Sequence, residues 1–320
     1  MIKTKNNYLL FYILAISLVY GILIGQGMYG FSNDYYEEYF KSNLIYPSIR
    51  DKLGALLSTL TIYDKHIGVE LTSFFLAFST GLLIKAFFIF KNQKSIFLFL
   101  FIFLLTIHTH PIIMSTSGAM RQGWVMCFVF LSLTFILKEK KVLSFLFIVI
   151  AIFLHKSGLL FFIIYLVTVV GMMIEKKIKQ KKMLLFLIGN IFFIICCLGF
   201  YFLGWSKINN RIVAGDFRYV WLFVNIFYIF FYFNTFKFHS SSPRKFISSF
   251  LYLHACAAPS FFVMGLNWQY ERINMIIGIP IILIMGSFFN KKSSYLYIII
   301  LLCIYLFLTI YQGMYSIGLL

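Results

Sequence analysis

Residues 138–175 read KEKKVLSFLFIVIAIFLHKSGLLFFIIYLVTVVGMMIE, and lysines resume at once between Lys176 and Lys182. The main polar interruption between the two lysine clusters is His155-Lys156-Ser157-Gly158. A helix needs about 20 mostly apolar residues to cross a hydrocarbon layer about 30 Å thick. One long helix through the stretch would set its lysine ends on opposite faces of a membrane. Two helices, 142–154 and 157–174, turning back at the glycine, keep both clusters on one face, and the charge pattern favours that return. A chain built of such segments is all-α and polytopic.

Composition agrees. Of 320 residues, 61% are apolar and 12% charged, with mean hydropathy +0.90. Soluble domains keep about a quarter of their residues charged. Half that charge, with 41 Phe and 21 Tyr, excludes both a water-soluble globule and a disordered chain. No polar stretch is long enough for a soluble domain, so residues 1–320 are read as a single transmembrane domain. Working outward, spans are expected near 8–28, 67–90, 95–114, 119–137, 142–154, 157–174, 183–203, 219–236, 246–266, 273–289 and 295–311, about eleven crossings. The first follows Lys3 and Lys5 and meets no small-residue cleavage site, so it reads as a retained span.

Alternating the connections collects 18 of the 28 basic residues on one side, with Glu139 and Glu175 as the acidic residues among them. That excess makes the side cytoplasmic, places the C-terminus outside and explains the net charge of +18 without nucleic acid. The type of cation differs too. The cytoplasmic set is lysine apart from Arg244, whereas the outer set holds Arg50, Arg121, Arg211, Arg218 and Arg272. Lysine suffices for a topological charge. Arginine's planar fork grips phosphate or carboxylate at two points; headgroup anchoring, or pairing with Asp51, Asp216 and Glu271, is the structural alternative.

Helical rise gives depth. Arg121, Arg272 and His155 lie roughly 25, 28 and 21 Å from Lys138, Lys291 and Lys141, so all three are expected at the outer boundary of the hydrocarbon. Ionisable groups at that level usually face a protein cavity. The long outer loop, 29–66, opens with Asn33-Asp34-Tyr35-Tyr36-Glu37-Glu38 and continues into an amphipathic pattern at Ile49, Leu53, Leu56, Leu57 and Leu60, expected to lie in the interface. A second outer loop, 204–218, carries Trp205, Lys207, Arg211, Asp216 and Arg218.

Other features carry less chemistry. His108-Thr109-His110-Pro111 reads as the polar end of the third span rather than a metal site, and Pro259 and Pro280 as kinks. The five cysteines lie in apolar runs without ligand or disulfide spacing. There is no Walker loop, dinucleotide turn or zinc-protease motif, and no cofactor is expected.

Four short pieces carry a resemblance: Asp34-Tyr35-Tyr36, Ser117-Gly118-Ala119-Met120-Arg121-Gln122, Leu154-His155-Lys156-Ser157-Gly158-Leu159-Leu160, and Tyr270-Glu271-Arg272. Together with the topology they resemble the EpsG-like group of Wzy-type polysaccharide polymerases of O-antigen, capsule and exopolysaccharide assembly. Gly123-Trp124-Val125 stands where the family pattern would have an alanine-rich stretch. The resemblance implies a multi-spanning, GT-C-like, metal-independent inverting glycosyltransferase in the bacterial cytoplasmic membrane. Its substrate would be an oligosaccharide on undecaprenyl pyrophosphate, passed to a lipid-linked repeat unit, with a flippase and a chain-length regulator as candidate partners.

On this reading Arg121, Arg272, Arg218 and Arg211 bind the pyrophosphate, where charge builds in the transition state. His155 is the first candidate for the proton acceptor of the attacking hydroxyl, with Asp34 or Glu37 as competitor. Gln122, Tyr35, Tyr36, Tyr270 and Glu271 would contact substrate. Three rivals share parts of the pattern: a lipid-linked oligosaccharide flippase or transporter, a membrane O-acyltransferase, and a ligase using the same lipid. An ion-coupled carrier is disfavoured because all ten acidic residues fall in loops or at span ends.

Overall fold

The computed structural model describes residues 2–25, 67–90, 95–116, 119–175, 181–202, 218–235 and 242–288. Among these residues every regular element is helical and no strand occurs. In chain order the helices are α1 (Ile2–Gly25), α2 (Ile67–Phe90), α3 (Ile96–Ile107), α4 (His110–Thr116), α5 (Met120–Leu137), α6 (Lys141–Leu154), α7 (Lys156–Glu175), α8 (Lys181–Phe202), α9 (Arg218–Thr235), α10 (Ser242–Ala257), α11 (Pro259–Val263) and α12 (Asn267–Phe288). The loop 29–66 with its interfacial helix, the loop residues 204–217, the span 295–311 and Cys303 lie outside the described residues.

Among the described residues, five helical stretches are long and apolar enough to cross a membrane: Tyr8–Gly25, Ile67–Phe90, Met120–Leu137, Ser157–Glu175 and Pro243–Val263. Apolar side chains also cover outward faces. Phe97, Val142 and Phe202 are 79%, 75% and 80% exposed, and Phe11, Leu18, Ile195 and Phe223 are exposed as well. Water would penalise such faces, and lipid accepts them. This is an all-α membrane protein.

Two expected boundaries move. The span expected over 95–114 ends at Ile107, where His108 Nδ1 donates to the Leu104 carbonyl at 2.7 Å and closes the last turn; α4 then starts afresh at His110. The span expected over 246–266 divides at Ala258, because Pro259 has no N–H to continue the ladder and opens the short helix α11. The break expected near residues 155–158 falls at His155, whose backbone is extended (φ −163°, ψ 156°).

The described residues form two compact units, one up to Phe162 and one from Ile163 onward. In the first, α2 is the central helix. Gly21 of α1 abuts the Glu70 carbonyl, and Gly81 of α2 faces Ile13 of α1, so α1 and α2 run antiparallel. Phe88 packs edge-on against Phe99, with ring centroids 5.6 Å apart, and Gly81 also meets Phe103, which makes α3 antiparallel to α2. Trp124 Nε1 of α5 donates to Thr72 Oγ1 at 3.0 Å, and further along Lys138 acts electrostatically on Lys85, so α5 runs parallel to α2. The start of α1 and the residues Lys85, Lys138, Lys140 and Lys141 therefore share one end of the unit. Arg121 stands at the other end.

The second unit sorts its charges the same way. Tyr228 Oη donates to the Ser248 carbonyl, Tyr232 Oη lies 2.9 Å from Ser249 Oγ, and Tyr232 stacks on Tyr252 at 4.5 Å. Tyr219 of α9 meets Phe262 of α11, just after α10, whereas Tyr228, nine residues on, meets Ser248 near the start of α10, so α9 runs antiparallel to α10. Gly189 of α8 packs on Tyr252 and Cys256, and Cys196 on Ser260, so α8 runs parallel to α10. Lys181, Arg244 and Lys245 thus begin helices at one end of this unit. Arg218 begins α9 at the opposite end.

Candidate functional site

The local chemistry of the α5–α6 hairpin explains how it holds two of the candidate residues. Glu139 adopts φ 59°, Lys140 N donates to the Phe135 carbonyl at 2.8 Å and Glu139 N to the Ile136 carbonyl at 2.9 Å. This left-handed cap ends α5 and reverses the chain within three residues. Inside the hairpin, Ser132 Oγ and Ser144 Oγ lie 2.9 Å apart, both buried, and share one hydrogen bond. The bond fixes the register of the two antiparallel helices.

Arg121 lies eleven residues before Ser132, and His155 eleven after Ser144. At about 1.5 Å per residue both stand roughly 16 Å from the serine pair, at the end remote from the lysine turn. Eleven residues also make just over three whole turns, since each turn takes about 3.6 residues. Arg121 is therefore on the face of α5 that carries Ser132 toward α6. Both residues are half-buried.

His155 is the hinge between α6 and α7 and the N-cap of α7. Its Nδ1 accepts a hydrogen bond from Ser157 N at 3.3 Å and lies 3.0 Å from Ser157 Oγ, while its carbonyl accepts from Gly158 N at 2.9 Å. This satisfies donors that every helix start leaves without intrahelical partners. Gly158 is required by close approach: a Cβ there would collide with the Ala151 carbonyl. Phe145 and Phe162, 6.1 Å apart, continue the same antiparallel packing of α6 on α7.

Beside Arg121, the Gln122 side chain is buried at 2% exposure. Gly123 lets α5 touch α4, because a Cβ there would collide with the Ser115 carbonyl. Trp124 reaches Thr72, whose hydroxyl donates to the Gly68 carbonyl at 2.8 Å. The first turns of α5 are thus locked to α4 and α2.

In the second unit the Tyr270-Glu271-Arg272 segment forms the start of α12. Asn225 of α9 donates to Tyr270 Oη at 3.0 Å and to Asn274 Oδ1 at 2.9 Å, and Asn274 Nδ2 donates back to the Tyr270 carbonyl at 2.8 Å. The three side chains are buried. Tyr219, Phe262 and Tyr270 form a run of ring contacts at 5.9 and 5.6 Å, which brings the start of α9, where Arg218 stands, to the same end as the start of α12. Glu271 is buried at 1% exposure and Arg272 is half-buried. At the far end Lys245 Nζ meets Glu175 Oε1 at 2.6 Å, with Glu175 buried.

No family model, curated protein or solved structure matches the chain.

The first unit brings Arg121, Gln122 and His155 to one end. The second does the same for the Arg218 position, Tyr270, Glu271 and Arg272. Asp34, Tyr35, Tyr36, Glu37 and Arg211 lie outside the described residues. Among the described residues no three His, Cys, Asp or Glu side chains are grouped to hold a metal. The described cysteines are free, with Cys127 buried and Cys196, Cys197 and Cys256 half-buried. Ser132, Ser144, Asn225 and Asn274 position the site and were not singled out by sequence reasoning. Asn225 and Asn274 carried a signal, as amides within apolar runs; the two serines carried almost none.

Proposed function

We propose that the protein is a polymerase of bacterial surface polysaccharide, with about eleven crossings and a GT-C-like architecture. It transfers a growing glycan from undecaprenyl pyrophosphate to a lipid-linked repeat unit at the outer face of the cytoplasmic membrane. The observation that supports this most directly is the placement of Arg121 and His155 at one level of the α5–α6 hairpin, away from the lysine turn. A polyprenyl pyrophosphate carries its charge at headgroup depth, and its leaving group gains charge as the glycosidic bond breaks. Fixed guanidinium groups at that depth stabilise the developing charge.

In this mechanism the acceptor hydroxyl attacks the anomeric carbon of the donor glycan as the bond to pyrophosphate opens. Arg121 and Arg272, with Arg218 and Arg211, hold the phosphoryl oxygens. Gln122, Tyr35, Tyr36, Tyr270 and Glu271 contact the sugars, and Asp34, Glu37 and His155 are the groups to weigh around the reacting hydroxyl. Purified protein incubated with lipid-linked repeat units should yield a ladder of longer glycans on a gel. A wild-type protein that leaves the repeat units unextended would overturn the reading. Labelling of a cysteine introduced at Asn210 by an external thiol reagent checks the proposed orientation.

A further inference from the structure

His155 is the group one would first choose to take the proton from the acceptor hydroxyl, but its surroundings in the α6–α7 turn fix the ring differently. A backbone N–H is only ever a donor, so the Ser157 N–H bond to Nδ1 identifies Nδ1 as an acceptor. The neutral ring therefore carries its hydrogen on Nε2, whichever group Nε2 meets. Nε2 then has no lone pair in the ring plane with which to accept a proton. Nδ1 has one, but it is committed to the cap. Protonating Nδ1 would set N–H against N–H and undo the bond that starts α7 beside the tight Gly158–Ala151 contact. The turn is built to present a donor.

Building on the polymerase reading, we infer that His155 acts as a hydrogen-bond donor through Nε2–H to a pyrophosphate oxygen of the lipid-linked donor, and not as the general base. Its level on the α5–α6 hairpin, set by the Ser132–Ser144 bond, is that of Arg121, so guanidinium and imidazole address the same anionic headgroup. In the transfer step the acceptor oxygen bonds to the anomeric carbon. The bond from that carbon to the pyrophosphate oxygen breaks, and its electron pair leaves with the pyrophosphate. The hydroxyl proton passes to water. His155 neither gains nor loses a proton; its N–H bond strengthens as charge collects on the leaving group.

Two substitutions separate the possible roles. His155→Asn keeps a good N-cap but withdraws the distal donor, whereas His155→Gln places an amide N–H near the position of Nε2. Ladder formation should fall by roughly a hundredfold in His155→Asn, the loss typical of one transition-state donor, and should stay within about threefold of wild type in His155→Gln. Nitrogen NMR of histidine-labelled protein in micelles, with the His155 signals assigned by their disappearance in His155→Gln, should show the Nε2-protonated ring. An Nδ1-protonated ring would overturn the inference. So would full activity in His155→Asn, which would leave only a capping role, or loss of activity in both variants, which would restore the base. All the variant outcomes are read against an active wild type. An inactive wild type would instead remove the polymerase reading, and the NMR pattern would still report the tautomer.

Discussion

Ser132 and Ser144 share a buried hydrogen bond of 2.9 Å, and through it they set which residues stand level at the far end of α5 and α6. Neither side chain is near Arg121 or His155 in sequence, yet both candidates are counted from this pair. Hydroxyl pairs between membrane helices contribute modestly, about 0.6 kcal/mol on average and up to about 2 kcal/mol. Removing one partner alone costs more than removing both. Ser132→Ala and Ser144→Ala should each lower stability in detergent by about 1 kcal/mol, and the double variant should cost less than their sum. Thermal unfolding of the four proteins measures the coupling.

Arg121 and Arg272 are expected to act through their planar forks as well as their charge. Arg121→Ala and Arg272→Ala should abolish long-chain product while the protein still inserts in the membrane. Arg121→Lys keeps the charge but loses two-point contact with a phosphoryl group, so it should remain impaired by roughly tenfold or more. Gel ladders from purified variants give the readout. Normal ladders from both alanine variants would remove the pyrophosphate assignment.

Gly158 allows α7 to start against α6. Gly158→Ala would drive a methyl group into the Ala151 carbonyl, a backbone atom that cannot rotate aside. The turn must then open, moving His155 with it. A loss of roughly 1–3 kcal/mol is expected for such overpacking, together with reduced ladder formation; unfolding and gel assays on one preparation test both.

What was legible in the sequence followed from costs large enough to mark the residue types. Burying a charge in lipid is expensive, so lysines and arginines mark helix ends: in the first unit Lys85, Lys138, Lys140 and Lys141 stand at the end opposite Arg121, and in the second Lys181, Arg244 and Lys245 stand at the end opposite Arg218. The turn at His155 was legible because a lysine and a glycine interrupt an apolar run there. The end of α3 was overestimated by several residues, because apolarity continues through Ile112 and Ile113, while the chain is stopped by the His108 ring closing on the Leu104 carbonyl. That contact is conformational and leaves no trace in hydropathy. The Ser132–Ser144 register was illegible for a related reason: serine is common in apolar helices and bonds its own backbone equally well.

Asn225 holds α9 to the turn that carries Tyr270, Glu271 and Arg272. Replacing it with Ala would leave Tyr270 Oη and Asn274 Oδ1 buried without the donor they now share, at about 1–3 kcal/mol. Asn225→Ala should therefore lower the unfolding temperature and weaken substrate binding more than Asn225→Asp, whose carboxyl group, when protonated, restores one donor. KM for lipid-linked repeat units and thermal unfolding together distinguish loosening of α12 from global loss of fold.

Glu175 closes the opposite end of the second unit. Its carboxylate is buried against Lys245, whose side chain is 22% exposed. Separating charges from water is costly, and a partner removed singly leaves the other charge uncompensated, at about 3–5 kcal/mol for a fully buried pair. Lys245 retains some solvent, so the cost should sit at the lower end of that range or beneath it. Lys245→Met should thus destabilise the protein by more than the double variant Glu175→Gln with Lys245→Met, which removes both charges and leaves an uncharged amide. Since Glu175 and Lys245 lie at the lysine end of the unit, away from Arg272, the double variant should keep its polymer ladder. A double variant less stable than Lys245→Met would show that the carboxylate has another cation to meet. Loss of the ladder in a double variant that unfolds at the wild-type temperature would give this end of the unit a part in transfer.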